Sequence, residues 1–373
     1  GDLAEFNETE PNNSPTEAQE VPGGSGIANG VLQSSGDIDG FLIEVESGKT
    51  LVASLDAFDR LGSPIDAILQ VATLDGFVVA ENHDNIGLDP RVTYDVPEKG
   101  KYIVRVFGFP SAPNSTIGFA GAATYVYRLT LTSGPYIANA APLSVAEPDS
   151  KNVSVRGWNL VGDPQLPVLK PSDEGIQSQL ERESNAKKQI SSKARIGFIH
   201  AAGYAGAARV RRVPHPVHEG IAPGRHDSPL KLLPPIAVTA CLSEPKEIDH
   251  FLVTLTKGQT IVISAESASF DLPVIPLMRL SNPDGTDAAS TPDPGTAKET
   301  LLRYTAKVDG DHLLRVHDRY RHGSFRHFYQ MTATVEESDF ELSVVQDAIV
   351  VASDKATEIE VTVQRRNSAN GQI

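Results

Sequence analysis

Residues Glu8 to Ser14 read Glu-Thr-Glu-Pro-Asn-Asn-Ser, and Asp37-Ile38-Asp39-Gly40-Phe41 follows about 25 residues later. Glu8, Glu10, Asn12 and Asn13 offer side-chain oxygens on a short loop around a rigid proline. Asp37 and Asp39 add two carboxylates at the mouth of an alternating strand. An oxygen-only donor set suits a hard cation, and calcium is the expected ion. No nucleophile or base stands beside these residues, so structural ion binding is expected here rather than catalysis. The competing reading is a solvated turn whose Asn and Asp side chains bond local backbone.

Other residues that can do chemistry form weaker patterns. Asn82-His83-Asp84-Asn85 reads as a polar loop after a strand, with a second polar site as the sharper alternative. His215, His218 and His226 lie close in sequence, but Pro214 and Pro216 make that stretch extended and no zinc-helix spacing occurs. His312, His317, His322 and His327 recur every five residues, a period that fits neither a helix face nor a strand face. His312 reads instead as a packed strand position. The chain contains no Gly-x-Ser-x-Gly elbow, no phosphate-cradling glycine loop and no dinucleotide fingerprint. Cys241 is the single cysteine and has no evident catalytic partner, so it reads as a small apolar residue. Trp158 with Tyr136 reads as core beside a turn, with a carbohydrate or protein contact as the alternative.

The elements that must position these residues come from an internal repeat. Asp37-Ile38-Asp39-Gly40-Phe41-Leu42 aligns with Glu247-Ile248-Asp249-His250-Phe251-Leu252 at an offset of 210. Gly100-Lys101-Tyr102-Ile103-Val104-Arg105-Val106 returns at the same offset as Gly310-Asp311-His312-Leu313-Leu314-Arg315-Val316. Asp75-Gly76 matches Asp284-Gly285 after a one-residue slip, and Tyr127 matches Tyr329. Phe41, Ile43 and Val45 alternate with Leu42, Glu44 and Glu46, the period-2 pattern of a half-buried strand. Strands separated by Asp-Gly and Glu-Lys-Gly turns predict an all-β chain of tandem antiparallel β-sandwiches. The second copy keeps Glu247 and Asp249 but has no linker acids, so Asp249 is expected to serve the fold, bonding turn amides.

The expected domains are a first sandwich over 1–134, a middle β segment over 135–213 and a second sandwich over 214–337. Residues 338–373 read as the start of a further β domain or as docked terminal strands. Residues 172–193 turn polar and helix-friendly with a thin apolar stripe, which predicts a solvated helix or insertion.

Charge narrows the partners. The net charge is −15, and residues 1–134 carry 19 acids against 7 bases. Residues 135–213 carry 7 acids against 11 bases, and residues 214–373 carry 22 against 15. This balance argues against a nucleic-acid partner, which needs clustered bases. No apolar run is long enough for a membrane helix. One cysteine rules out an intrachain disulfide.

Taken in order, Glu8 to Ser14, Gly36 to Phe41, Asp75-Gly76 and Gly100 to Val106 resemble the bacterial pre-peptidase C-terminal domain. The second repeat shares the strand signals but not the Glu-x-Glu-Pro-Asn opening, and the segment around Gly157-Trp158-Asn159-Leu160 resembles the immunoglobulin-like TIG domain. The resemblance implies jelly-roll-like sandwiches attached to secreted hydrolases and surface proteins, non-catalytic themselves. It implies calcium on the linker residues Glu8, Glu10, Asn12 and Asn13, with Asp37 and Asp39 in the matching acidic turn. No motif for collagen binding is present. The expected function is therefore a binding or spacer module of a larger exported protein, extracellular or periplasmic, its signal peptide removed. Its expected partner is an extracellular polymer, a cell-surface component or an adjoining catalytic domain. The rivals are a metal-dependent hydrolase using the histidines of the second half and a purely structural cell-surface spacer.

Overall fold

The structure is a computed structural model that describes residues 3–85, 87–110, 118–147, 152–168, 196–222, 224, 226–293, 295, 299–336, 339–344 and 359–366. It divides into two compact units. One is Gly1–Pro214 with Ala268–Pro273, and the other is His215–Ser267 with Val274–Ile373.

The first unit opens with ten strands. They are β1 (Glu5–Asn7), β2 (Gln19–Glu20), β3 (Gly26–Val31), β4 (Asp39–Val45), β5 (Thr50–Asp56), β6 (Ala67–Thr73), β7 (Val78–Asn82), β8 (Arg91–Asp95), β9 (Gly100–Gly108) and β10 (Val126–Thr132). They form two five-stranded sheets, ordered β1-β3-β10-β5-β8 and β2-β4-β9-β6-β7. Alternation along β4 and β9 sends Phe41, Ile43, Val104 and Val106 inward, where they meet Leu55, Leu129 and Leu131 of the other sheet in one core. Burying side chains of this size contributes roughly 1.5–3 kcal/mol each and is the main force holding the sheets face to face.

Seven strands follow in the same unit. They are β11 (Tyr136–Ala141), β12 (Ser144–Ala146), β13 (Asn152–Trp158), β14 (Gln165–Pro167), β15 (Ile196–Ile199), β16 (Ala205–Gly206) and β17 (Ala208–Val213). They make sheets ordered β14-β13-β11-β16 and β12-β17-β15 around Ile137, Ala140, Val155 and Val210. Asn159 fastens this segment to the first sandwich. Its Oδ1 accepts from Thr50 N at 2.9 Å, and its Nδ2 donates to Thr50 O at 2.7 Å and Gly134 O at 3.2 Å. Trp158 is half-buried and meets Tyr136 edge-on at 5.7 Å, beside Val52 of β5.

The second unit repeats the ten-strand plan. Its strands are β18 (Val217–Ala222), β19 (Leu230–Leu232), β20 (Ile236–Cys241), β21 (Asp249–Leu255), β22 (Thr260–Glu266), β23 (Pro276–Ser281), β24 (Asp287–Ser290), β25 (Glu299–Thr305), β26 (Gly310–Asp318) and β27 (Phe328–Val335). The sheet orders β18-β20-β27-β22-β25 and β19-β21-β26-β23-β24 match the first sandwich strand for strand. A separate antiparallel pair, β28 (Asp339–Val344) with β29 (Val361–Arg366), ends the described chain.

The all-β class read from the sequence is present, with one addition. In each sandwich the two short leading strands pair parallel to their neighbours, β1 with β3, β2 with β4, β18 with β20 and β19 with β21. Each leading segment crosses from one sheet to the other, so it adds a strand to both edges without a hairpin return. The expected polar helix over 172–193 lies outside the described residues.

Candidate metal centre

The centre forms where the crossing segment between β1 and β2 passes the start of β4. Register does the positioning. Asn7 is the last residue paired with β3, so Glu8 leaves the sheet edge, its amide still donating to Asn29 O at 3.0 Å. Farther on, Asn12 O accepts the Gly40 amide at 3.1 Å. A Cβ on residue 40 would stand 2.8 Å from that carbonyl, so glycine is what lets the loop lie against β4. Asn13 Oδ1 accepts from Ile38 N at 2.8 Å, a second stitch. Gln19 Oε1 accepts from Thr9 N at 2.9 Å.

These bonds bring Glu8, Glu10 and Asp39 together, each with a carboxylate oxygen within 4.8 Å of the others. Glu8 is half-buried, Glu10 exposed and Asp39 fully buried. Asn12 is fully buried between them, its backbone N donating to Glu10 Oε2 at 2.9 Å and its Nδ2 to Glu8 Oε2 at 3.2 Å. Asn12 Oδ1 and Asp39 Oδ1 are both buried and without a hydrogen-bond partner. The other oxygen of Asp39 accepts from the Tyr127 hydroxyl.

Of the six residues read as ligands, the structure collects Glu8, Glu10, Asn12 and Asp39. Asn13 points its oxygen at the Ile38 amide instead. Asp37 is buried, with Oδ2 taking the Gln33 amide at 2.5 Å, yet its charge reaches both Glu10 and Asp39.

Electrostatics record the crowding. Burial pushes Asp39 up to about 8; the Tyr127 hydrogen bond opposes this, and the charges of Glu8, Asp37 and Glu10 add to it. Burial also raises Glu10, partly offset by the Asn12 amide and reinforced by Asp37 and Glu8. A site with excess negative charge and two orphaned buried oxygens fits a hard divalent cation, which would supply the missing contacts and restore the ionised forms.

The second sandwich is an internal control. Ile221 pairs with Thr239 as Asn7 pairs with Asn29, so Ala222 takes the place of Glu8. Gly224 O accepts the His250 amide at 3.3 Å, which puts Gly224 in the place of Asn12. The buried pair recurs, with the Tyr329 hydroxyl donating to Asp249 Oδ2 at 2.6 Å. Burial pushes Asp249 up to about 7, with only Glu247 adding its charge. The turn-amide role expected of Asp249 belongs to Glu247, which accepts from Glu244 N at 2.9 Å. Asp249 starts a strand on the inward side, so its carboxyl meets the core tyrosine. Tyr127 and Gly40 are the residues that sequence reasoning left out of the site; the signal available was the recurrence of Tyr127 as Tyr329.

The remaining candidates are placed as follows. His83 and Asp84 form an exposed pair at 3.1 Å, and Asn82 Oδ1 accepts from Arg91 N. His312 is fully buried against Tyr304. Ser324 Oγ and His327 Nδ1 are 2.7 Å apart within one loop. The nearby Asp318 spends its oxygens on the Ile275, Tyr320 and His322 amides, so it does not orient His327 as a catalytic triad requires. Half-buried Cys241 donates to Ser324 O at 3.6 Å. Among the described residues, Glu8, Glu10 and Asp39 are the one grouping of three His, Cys, Asp or Glu with ligand atoms this close. No helix among them is long and apolar enough to cross a membrane.

No family model matches the chain, and no curated protein matches it. Solved structures similar to it include the pre-peptidase C-terminal domain of a collagenase from Bacillus anthracis, at 14% identity and TM-score 0.24, covering 30% of this chain and 100% of that one. PliG, a periplasmic lysozyme inhibitor of Aeromonas hydrophila, is 13% identical at TM-score 0.22, covering 35% and 95%. The CBM22-1–CBM22-2 tandem domain of Paenibacillus barcinonensis Xyn10C is 10% identical at TM-score 0.18, covering 79% and 82%. At such scores these likenesses carry no weight for function.

Proposed function

We propose that the chain is a set of non-catalytic binding or spacer modules of a larger exported protein, in which calcium fastens the leading segment of the first sandwich onto β4. Glu8, Glu10, Asp39 and the Asn12 oxygen would hold the ion, with Asp37 adding charge beside them and Asn13 holding the loop. The observation that carries this reading is the pair of orphaned buried oxygens, on Asn12 and Asp39, beside three clustered carboxylates. The second sandwich, with Ala222 and Gly224 at the matching places, would fold without an ion.

In this reading both sandwiches are copies of a pre-peptidase C-terminal-like fold with a TIG-like segment between them. The shared strand order supports common ancestry of the two copies. The partner is an extracellular polymer, a cell-surface component or an adjoining catalytic domain. Hydrogen exchange tests the calcium role. Millimolar calcium should slow exchange over residues 5–13, and Glu10→Ala should abolish that protection. Unchanged exchange, or substrate turnover that depends on a single residue of this chain, would overturn the reading.

A further inference from the structure

Arg315 occupies the centre of the outer face of the β19-β21-β26-β23-β24 sheet. His250 on β21 stands directly opposite it on one side, and Arg279 on β23 on the other. Alternation sends their neighbours Phe251, Leu314, Val316, Met278 and Leu280 into the core, which leaves His250, Arg315 and Arg279 in one outward row. Like charges set opposite each other on adjacent strands are destabilising. The first sandwich avoids this: Arg105 faces Gly40 and Gln70 at the same register and donates to Gln70 Oε1 at 2.5 Å. The same fold therefore carries Gly–Arg–Gln in one copy and His–Arg–Arg in the other.

The basic groups of the second row are unequally satisfied. Arg279 pairs with Asp287 at 2.5 Å. Arg315 donates to Ser281 Oγ at 3.1 Å, and no carboxylate of the described residues lies within ion-pair distance of it. His250 is 6% exposed, and its Nδ1 is buried without a hydrogen-bond partner. Exposed His226 covers it, ring edge to ring face, at 4.7 Å. Burial, with His226 and Arg315 beside it, holds the His250 pKa below the usual histidine value, opposed by the backbone of Ile248 and Gly224.

We propose that His226, His250 and Arg315 form a carboxylate-binding site on the outer face of the second sandwich. Arg315 supplies a planar fork of donors that pairs a carboxylate through two parallel bonds. Neutral His250 can carry its proton on Nδ1 and donate it once the His226 ring swings aside. A transition metal is disfavoured because the Arg315 charge repels it. A dianion is disfavoured because, with Arg279 paired to Asp287, Arg315 is the one unmatched guanidinium of the row. This site and the acidic centre lie in different sandwiches, so either can fail without the other.

The test is a titration of the full chain with acetate and, separately, sulfate, read from the histidine ring resonances by NMR. Acetate should shift two histidines saturably with a Kd on the order of millimolar. Arg315→Gln should weaken this at least about tenfold, and Arg105→Gln should leave it unchanged. The double variant His250→Gly with Arg279→Gln copies the first sandwich's row, which the fold accepts, and should also weaken binding about tenfold. Non-saturable shifts, tighter sulfate binding or an equal loss in Arg105→Gln would overturn the proposal.

Discussion

Replacing Asp39 by Asn should separate the two faces of the acidic centre. Asp39 is fully buried, and its carboxyl is pushed up to about 8 by burial and by Glu8, Asp37 and Glu10. The folded state without calcium therefore holds a proton that the unfolded chain releases near pH 4. A raised carboxylate pKa means that stability is lost as pH climbs from about 4 to about 8, at up to about 1.4 kcal/mol per pH unit. The Asn variant has no proton to lose, and its side-chain oxygen can still accept from Tyr127. Without calcium it should match the wild type in acid and exceed it at pH 8. Calcium should narrow that gap: an ion bound only by the native state contributes about 2.7 kcal/mol at a hundredfold excess over Kd. For a domain of this size that is a rise in Tm on the order of 10 °C, seen in the wild type and absent in the variant. Calorimetry at about pH 4 and about pH 8, with and without calcium, reads all of this. A variant less stable than wild type at pH 8 without calcium, or one that keeps the calcium shift, would refute the reasoning.

Other expected outcomes follow from single contacts. Gly40→Ala puts a methyl 2.8 Å from Asn12 O and should displace the leading loop, costing about 1–3 kcal/mol and lowering calcium affinity by titration calorimetry. Tyr329→Phe strips the partner from buried Asp249 and should cost about 1–3 kcal/mol by urea unfolding, with no effect on calcium affinity. Asn159→Ala removes three hydrogen bonds to Thr50 and Gly134 and should cost about 2 kcal/mol in chemical denaturation, with hydrogen exchange rising at Thr50.

Much of the fold was legible because period-2 alternation and the 210-residue offset are local signals. Phe41 and Phe251, or Val104 and Leu314, occupy matching inward positions that the alternation marks directly. The parallel leading strands were not legible. β1 and β2 are too short to alternate, and their pairing depends on a crossing between sheets. At the site, residue type identified the acids, but only register could separate their roles. Asn13 and Asp37 have the chemistry of ligands, yet backbone amides claim Asn13 Oδ1 and one of the two Asp37 oxygens. The place of Tyr127 emerges once β10 is set beside β3, because its hydroxyl reaches Asp39 from across the sandwich. The basic row on β21, β26 and β23 is likewise invisible until His250, Arg315 and Arg279 are brought side by side.

The most direct test of the acidic centre is isothermal titration of the full chain with calcium at pH 7 in two buffers of different ionisation enthalpy. One ion should bind per chain with protons released, because binding ionises Asp39, and Asp39→Asn should abolish the heat. Absence of binding, or binding undiminished in the variant, would contradict a calcium centre built on Glu8, Glu10 and Asp39.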